Sequence, residues 1–363
     1  MTLSLYIARR FLVTFCLVFS GFFGVLYLID LIEEVRRSTA ASFGHAAGLA
    51  LLHTPGSTYH ILPLIMILTA IALFLRLART SELVAVRAAG RSALRTLVGP
   101  ILAALVLGAI AVAVFNPLVA ATTKRYETLS SQNGTAASAE ASFGEDGLWL
   151  RQGDEQGQWV IHADRASPDG TTIYGVTFIS FGETGGPRTR IAAEQADLAR
   201  GAWIATNAKE WRLDGNGNPE AEAEVRDRVE LTTTLTADEI RNSFGAPQTI
   251  SIWDMRGFIG ELDRAGFSSR AYSVWFQMEM ALPLLLAAMV LVGAGFTMRH
   301  ARFGNSGTLV LLALVSGIAI FFVRNFAQVL GESGQIPIVL AAWTPPVAAA
   351  LLSVSLLLHL EDG

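Results

Sequence analysis

Six uninterrupted apolar stretches decide what this chain can fold into. They occupy residues 11–29, 55–75, 96–123, 280–298, 303–323 and 334–359, and none contains Lys, Arg, Asp or Glu. A helix of roughly 20 apolar residues crosses a hydrocarbon core, and it does so with every backbone hydrogen bond made inside its own segment. Each stretch is therefore expected to be a membrane-spanning helix. Charge content agrees: 16% of the 363 residues are charged, against about 25% in an average soluble chain. The first stretch is too long for the apolar region of a cleavable leader, and no small-residue cleavage site precedes Glu33-Glu34, so it is read as a retained helix.

Between the third and fourth stretches the sequence changes character. Turn clusters GDEQGQ, SPDG, GETGGP and LDGNGNP separate short segments such as GQWVIHADRA and TIYGVTFISF, the spacing of an all-β domain. In AEAEVRDRVELTTTLT, Val225, Val229, Leu231, Thr233 and Leu235 fall on one side of a period-two alternation, which predicts a half-buried strand. Residues 123–250 are accordingly expected to form a β-sandwich or jelly roll, inserted between membrane segments 1–122 and 251–363. Residues 251–270 return to a helical period with Ile252, Met255, Ile259 and Leu262 on one face, predicting an amphipathic helix before the fourth span.

Orientation follows from basic residues in short loops. Arg9 and Arg10 precede the first span, Arg76, Arg79, Arg87, Arg91 and Arg95 lie between the second and third, and Arg299 and Arg302 between the fourth and fifth. With alternating spans these all share one side. The expectation is that both termini and residues 79–95 are cytoplasmic and that the β domain lies outside a plasma or inner membrane. The lone Cys16 sits in the first span, leaving the β domain to be held by its own core.

No set of reactive residues emerges. The six His have no metal-ligand spacing, the two Lys follow no GxxxxG loop, and no GxSxG elbow exists. An enzyme is disfavoured, no metal site is expected, and the net charge of −4 excludes no partner. Ser20/Gly24 and Ala104/Gly108 have the small-xxx-small spacing of close helix packing. Ionisable residues at membrane depth say more, because burying them is costly. Asp30, Arg36, Arg37, Glu279 and Arg324 all fall near the outer face. They either reach into headgroups or form a site for an anionic amphiphile, since Arg holds phosphate bidentately.

The cytoplasmic segment SELVAVRAAG, six spans and an external β domain between spans three and four together resemble the LptF/LptG family of lipopolysaccharide-transport permeases. GLWLRQ at 147–152, EWRL at 210–213 and GQIPIVLAAWTPP at 334–346 extend the resemblance over essentially the whole chain. RVELTTTLTAD looks more like the LptG branch than its paralogue LptF. The resemblance implies an α-helical membrane protein of six spans with an inserted periplasmic all-β jelly roll, in the bacterial inner membrane. It implies a transport subunit without cofactors of its own, with ATP and Mg bound by a partner, that extracts lipopolysaccharide from the outer leaflet. Implied partners are a cytoplasmic ATPase dimer (LptB-like), a paralogous six-span permease (LptF-like), a single-span jelly-roll protein (LptC-like) and a periplasmic jelly-roll bridge (LptA-like); no nucleic acid is implied.

Residue by residue, the resemblance makes 79–91 a coupling helix. Thr80 or Ser81 would cap it, Gly90 would end it, and Glu82, Leu83, Val86, Arg87 and Arg91 would face the ATPase. Spans one and five would form lateral gates, placing Asp30, Arg36, Arg37 and Arg324 along the lipid path. Trp149, Trp159, Phe178 and Trp203 are candidates for the jelly-roll interior. Where family members often carry a basic residue near the start of span four, this chain has QMEM with Glu279, which puts a lipid-phosphate contact there in doubt; Glu279 would instead pair with an Arg of its own chain or of the partner subunit. Two other readings stay open: a different ABC exporter permease, or a membrane-anchored sensor or scaffold whose β domain binds a peptide or glycan.

Overall fold

The computed structural model describes residues 2–37, 43–80, 82, 92–131, 140–144, 147–154, 157–168, 170–182, 186–214, 218–233, 235–236, 239–240, 245–298 and 306–362. The chain divides into two compact units. One comprises Met1–Leu129, Gln248–Trp253 and Arg270–Gly363, the other Ser130–Pro247 and Asp254–Ser269.

The first unit is helical: α1 (Thr2–Arg37), α2 (Phe43–His60), α3 (Leu62–Arg79), α4 (Ala93–Ile110), a π-helical turn (Ala111–Phe115), α5 (Asn116–Ser131), α7 (Arg270–Thr297), α8 (Ser306–Glu332) and α9 (Ile338–Asp362), with α6 (Ile252–Arg264) beginning in it. Among the described residues, six helices are long and apolar enough to cross a membrane: Ser4–Arg37, Leu62–Arg79, Arg95–Ser130, Arg270–Thr297, Gly307–Glu332 and Ile338–His359. The second span starts later than its apolar stretch, because Pro55 lies inside the separate helix α2 and the chain turns at Ile61. Pro63 explains the break. It has no N–H to donate and fits best in a first helical turn, where the Ile61 carbonyl accepts from Leu64 and Ile65 instead. The fifth span runs past the expected end at Val323 to Glu332.

Helix α7 is the centre of this unit and packs against α3, α4, α8 and α9. In lipid the solvent is as apolar as the side chains, so close backbone approach drives helix association. A Cβ built on Gly108 of α4 would lie 2.5 Å from Cα of Pro283 on α7, so only glycine allows the two backbones to meet there. The Ser20/Gly24 pair does not pack in this way: nothing lies within 4 Å of a Cβ on Gly24. Helix α1 turns Ile7 and Phe11 into the core and leaves Leu17, Val25 and Leu28 exposed.

The second unit is one antiparallel sheet whose seven strands follow chain order: β1 (Glu140–Gly144), β2 (Gly147–Asp154), β3 (Gly157–Ala166), β4 (Thr172–Phe181), β5 (Pro187–Ala199), β6 (Ala202–Arg212) and β7 (Glu224–Thr232). The jelly-roll domain is thus a continuous meander. A row of mutually opposite residues, Asp164, Gly175, Glu194, Asn207 and Asp227, interrupts its regular pairing. Gly175 and Asn207 have φ of 59° and 53°, a left-handed backbone that Gly and Asn adopt most readily.

The buried face changes parity across that row, from Ala163 to Ala166, from Ile173 to Val176, from Ala193 to Ala196 and from Ala205 to Ala208. The sheet is creased along it. Phe178 pairs with Ile191, which pairs with Glu210, so Trp203 lies seven residues along β6 from that line. A flat sheet would separate the two residues by roughly 25 Å, yet their ring centroids are 6.4 Å apart. The sheet therefore folds over itself and buries Phe178 and Trp203 between its halves. The Thr233 hydroxyl, donating to Gln152 Oε1 at 2.6 Å, joins the two halves again. The crease also explains Val225, expected on the buried side but 75% exposed: it lies beyond Asp227, where the inward parity reverses.

Two substitutions test these contacts. Gly108→Ala should cost about 1–3 kcal/mol through overpacking against Pro283 and lower the melting temperature of the purified protein, whereas Gly24→Ala should leave it unchanged. Gly175→Ala should destabilise the β unit by a similar amount, about 1–3 kcal/mol, since its Cβ would fall 2.1 Å from Asp164 Oδ2; tryptophan fluorescence during thermal unfolding reads the loss.

Candidate functional site

Among the described residues of the helical unit, three polar clusters bear on function. The first lies at the end of α3. Glu82 Oε1 accepts from Arg10 Nη1 at 2.8 Å and from the Thr80 hydroxyl at 3.2 Å, while Oε2 accepts from the Tyr6 hydroxyl at 3.3 Å. The Arg10 guanidinium lies 4.7 Å from the centroid of the Tyr6 ring, a cation–π distance. Slight desolvation raises the Glu82 carboxyl, but the hydrogen bonds from Arg10, Thr80 and Tyr6 outweigh it and hold the group below its ordinary range. Leu83, Val86, Arg87 and Arg91, like Ser81 and Gly90, lie outside the described residues. After them Ser92 caps α4 by accepting from the Arg95 backbone N–H at 3.3 Å, as an N-cap serine does.

The second cluster ties the far end of α1 to α2 and α5. Asp30, 9% exposed, accepts from the Thr54 hydroxyl at 3.0 Å and faces His53 Nδ1 at 3.1 Å. One turn on, Glu34 accepts from the Tyr126 hydroxyl at 2.6 Å, and the Tyr126 and His53 rings lie 5.0 Å apart. Arg37 pairs with Glu33 at 2.5 Å, and both Arg36 and Arg37 are exposed.

The third cluster is buried among the spans. Glu279 on α7 is 1% exposed and Arg324 on α8 is 8% exposed. Glu279 Oε2 accepts a short hydrogen bond from the Tyr59 hydroxyl and one of 3.3 Å from Asn116 Nδ2. Asn116 Oδ1 in turn accepts from the backbone N–H of Ile252, the first residue of α6, at 3.0 Å. The local sequence Asn116-Pro117 accounts for this arrangement. Pro117 cannot donate to the carbonyl four residues earlier, and proline distorts a helix at that point. The chain widens into a π turn at Ala111–Phe115, with the Asn116 N–H bonded to Ala111 O, and the Ala113 carbonyl left by Pro117 accepts from Trp253 Nε1 at 3.1 Å.

The structure thus separates residues that were grouped by sequence. Asp30 is engaged by α2, Arg36 and Arg37 stand exposed at the end of α1, and Arg324 is buried on α8. His53, Thr54, Tyr59, Asn116 and Tyr126 were not anticipated; a lone Asn-Pro inside an apolar stretch was the available signal. In the β unit, Phe178 and Trp203 are buried and Trp159 is half-buried on their face. Trp149 is a correction. It is 37% exposed against His162, because the alternation of β2 turns Leu148 and Leu150 inward in its stead.

Residues 5–359 match the family model described as lipopolysaccharide export system permease LptF/LptG. Two relatives, each named lipopolysaccharide export system permease protein LptG, come from Escherichia coli strains K12 and O6:H1 (CFT073). Each is 22% identical over 342 residues, covering 91% of this chain and 87% of the relative.

Glu82 and Arg10 are each 32% exposed at the side chain, so their tie is a modest one, roughly 0.5–1 kcal/mol. A double-mutant cycle on Glu82→Gln and Arg10→Gln should recover that coupling from melting temperatures. The folded carboxyl is depressed, so the contribution is present at neutral pH. It should vanish as pH falls through the lowered value.

Proposed function

The chain belongs to the LptF/LptG family of lipopolysaccharide export system permeases, and from that premise we propose that it is the LptG-type subunit, drawing lipopolysaccharide out of the outer leaflet. It is a multi-pass inner-membrane transport subunit of that family. The LptG assignment is supported by the names of its two E. coli relatives. In the proposed arrangement both termini are cytoplasmic and the β unit is periplasmic. A paralogous six-span permease completes the cavity, an ATPase dimer binds ATP and Mg below it, and single-span and soluble jelly-roll partners continue the route above. The alternatives of an LptF-type subunit or a sensor are outcomes of the tests.

Work would enter at the segment that contains Glu82. Its carboxylate reaches Tyr6 and Arg10 on α1, so a displacement of the coupling segment pulls on the first span directly. That span is also fastened to α2 at its other end through Asp30. Lipid would be met by arginine. The single observation that carries this reading is Arg324, a cation buried within a membrane-spanning helix. A buried charge at such depth is costly enough to mark a functional site, and a guanidinium matches the geometry of a phosphate.

The β unit supplies a route for acyl chains. A sheet folded along a crease has an apolar interior between its halves, lined here by Phe178, Trp203, Ile161 and Ile191.

In nanodisc-reconstituted complex with its ATPase, Arg324→Gln should shift lipopolysaccharide stimulation of ATP hydrolysis to about tenfold higher lipid concentration, the loss of a charge-assisted hydrogen bond. Arg36→Gln with Arg37→Gln should produce a smaller shift, since both are solvated. Unaltered stimulation in all three would overturn the lipid-phosphate reading. Purification that yields neither an ATPase nor a second six-span protein would overturn the permease assembly itself and favour the sensor.

A further inference from the structure

Helices α8 and α9 touch where the chain turns between them and leave a groove alongside. At the turn, a Cβ built on Gly331 of α8 would lie 2.7 Å from Cβ of Ala341 on α9, so glycine lets the two helices meet. The groove has a volume of about 350 Å³ and is walled by Ala319, Val323 and Ala327 on α8 and by Leu340, Ala348 and Leu352 on α9. Among the described residues lining it, Thr344 alone is polar. Small side chains make the space, and Pro345, inside α9 and on the lining, removes a backbone donor and distorts the helix there. Leu340 and Leu352 are exposed, so the groove opens to its surroundings, which along two spans are lipid.

Its dimensions are those of one acyl chain. The rise along α9 from Leu340 to Leu352 is about 18 Å, close to one leaflet of a hydrocarbon core about 30 Å thick. The volume spread over that length gives a cross-section of about 20 Å², roughly a quarter of that of a helix 10 Å wide. Such a groove is too narrow to seat a helix and wide enough for a single extended hydrocarbon chain.

A cation stands at the head of the groove. Arg270, the first residue of α7, is half-buried. It donates from Nε to the Gly331 carbonyl at 2.6 Å and from Nη2 to the Ile336 carbonyl at 2.7 Å. Ile336 lines the groove, and Gly331 stands one turn beyond the lining residue Ala327 on α8. Carbonyls at a helix end lack partners inside the helix and attract a cation, which fixes the guanidinium in place. Nη1 is left without a partner among the described residues. The starts of the fourth and sixth spans and the end of the fifth lie together here, at the depth of lipid headgroups.

We propose that this groove holds one acyl chain of a bilayer phospholipid whose headgroup phosphate is bound by Nη1 of Arg270. A guanidinium already held by two carbonyls keeps N–H donors for a phosphate oxygen, and its fixed position lowers the ordering cost of binding. The lipid so held is a resident of the complex and not its cargo, and Arg324 plays no part in holding it.

The test reconstitutes the complex, purified from its own membranes, in nanodiscs with phosphatidylglycerol carrying a photoactivatable diazirine in one acyl chain. Crosslinks are mapped by mass spectrometry. Ala348→Phe fills the groove from an exposed position. It should lower labelling of residues 340–352 about tenfold and leave labelling of Val106 and Ile110, exposed on α4, unchanged. Ala319→Phe, exposed on the opposite wall, serves if Ala348→Phe fails to assemble. Unlabelled phosphatidylglycerol should displace the probe from wild type at about one-tenth the mole fraction of diacylglycerol, the gain from a charge-assisted hydrogen bond, and Arg270→Gln should bring the two together. Labelling of 340–352 that neither Phe variant lowers overturns the groove site. Equal displacement by the two lipids in wild type overturns the part given to Arg270. A probe displaced by purified lipopolysaccharide and not by phosphatidylglycerol, or a groove that crosslinks to a neighbouring protein chain in place of the probe, overturns the resident lipid.

Discussion

A carboxylate inside a membrane helix has to be held by donors from other helices, and in this protein the amide of Asn116 is the group that makes this possible. One end of it reaches Glu279 at the heart of the bundle, and the other receives the N–H that opens α6. The amide is available because Pro117 widens the helix before it into a π turn and frees a carbonyl for Trp253. One proline thus accounts for a change of helical pitch, a cross-chain hydrogen bond and the placement of a buried acid. Helix α7, pressed against Gly108 through Pro283, carries Glu279 at a depth that α2 and α5 can both reach.

Charged groups on the helical unit divide into two kinds. Glu82, Asp30 and Glu34 fasten α1 to its neighbours at its two ends, each through a direct hydrogen bond. Among the described residues, Arg324 makes no such bond.

The spans were legible because length and freedom from charge are enough to recognise a helix in lipid; the start of the second was misplaced, where Pro55 continues a helix and Pro63 breaks one, and the fifth runs on past Val323 to Glu332. The β domain was legible from its turn clusters, but its crease was not. The crease depends on two left-handed residues on different strands, of which Gly175 in TIYGVTF was a visible sign and Asn207 was not. Trp149 was misassigned for a related reason: hydrophobicity suggested the interior, whereas strand parity turned it out. The buried cluster lay beyond sequence reasoning, since Tyr59 and Glu279 are 220 positions apart and no local pattern joins them. Glu82 was singled out by resemblance, while its bond to Arg10 depends on how α1 and α3 lie together.

The anchoring of α6 by Asn116 and Ala113 uses only neutral donors and acceptors, whereas the Glu82–Arg10 tie is an exposed ion pair. Dissolved ions screen the second and leave the first untouched. The two fastenings therefore answer differently to the medium. Ionic strength can loosen this attachment of the first span while the anchorage of α6 keeps its strength, so salt acts as a selective solvent for one joint of the molecule.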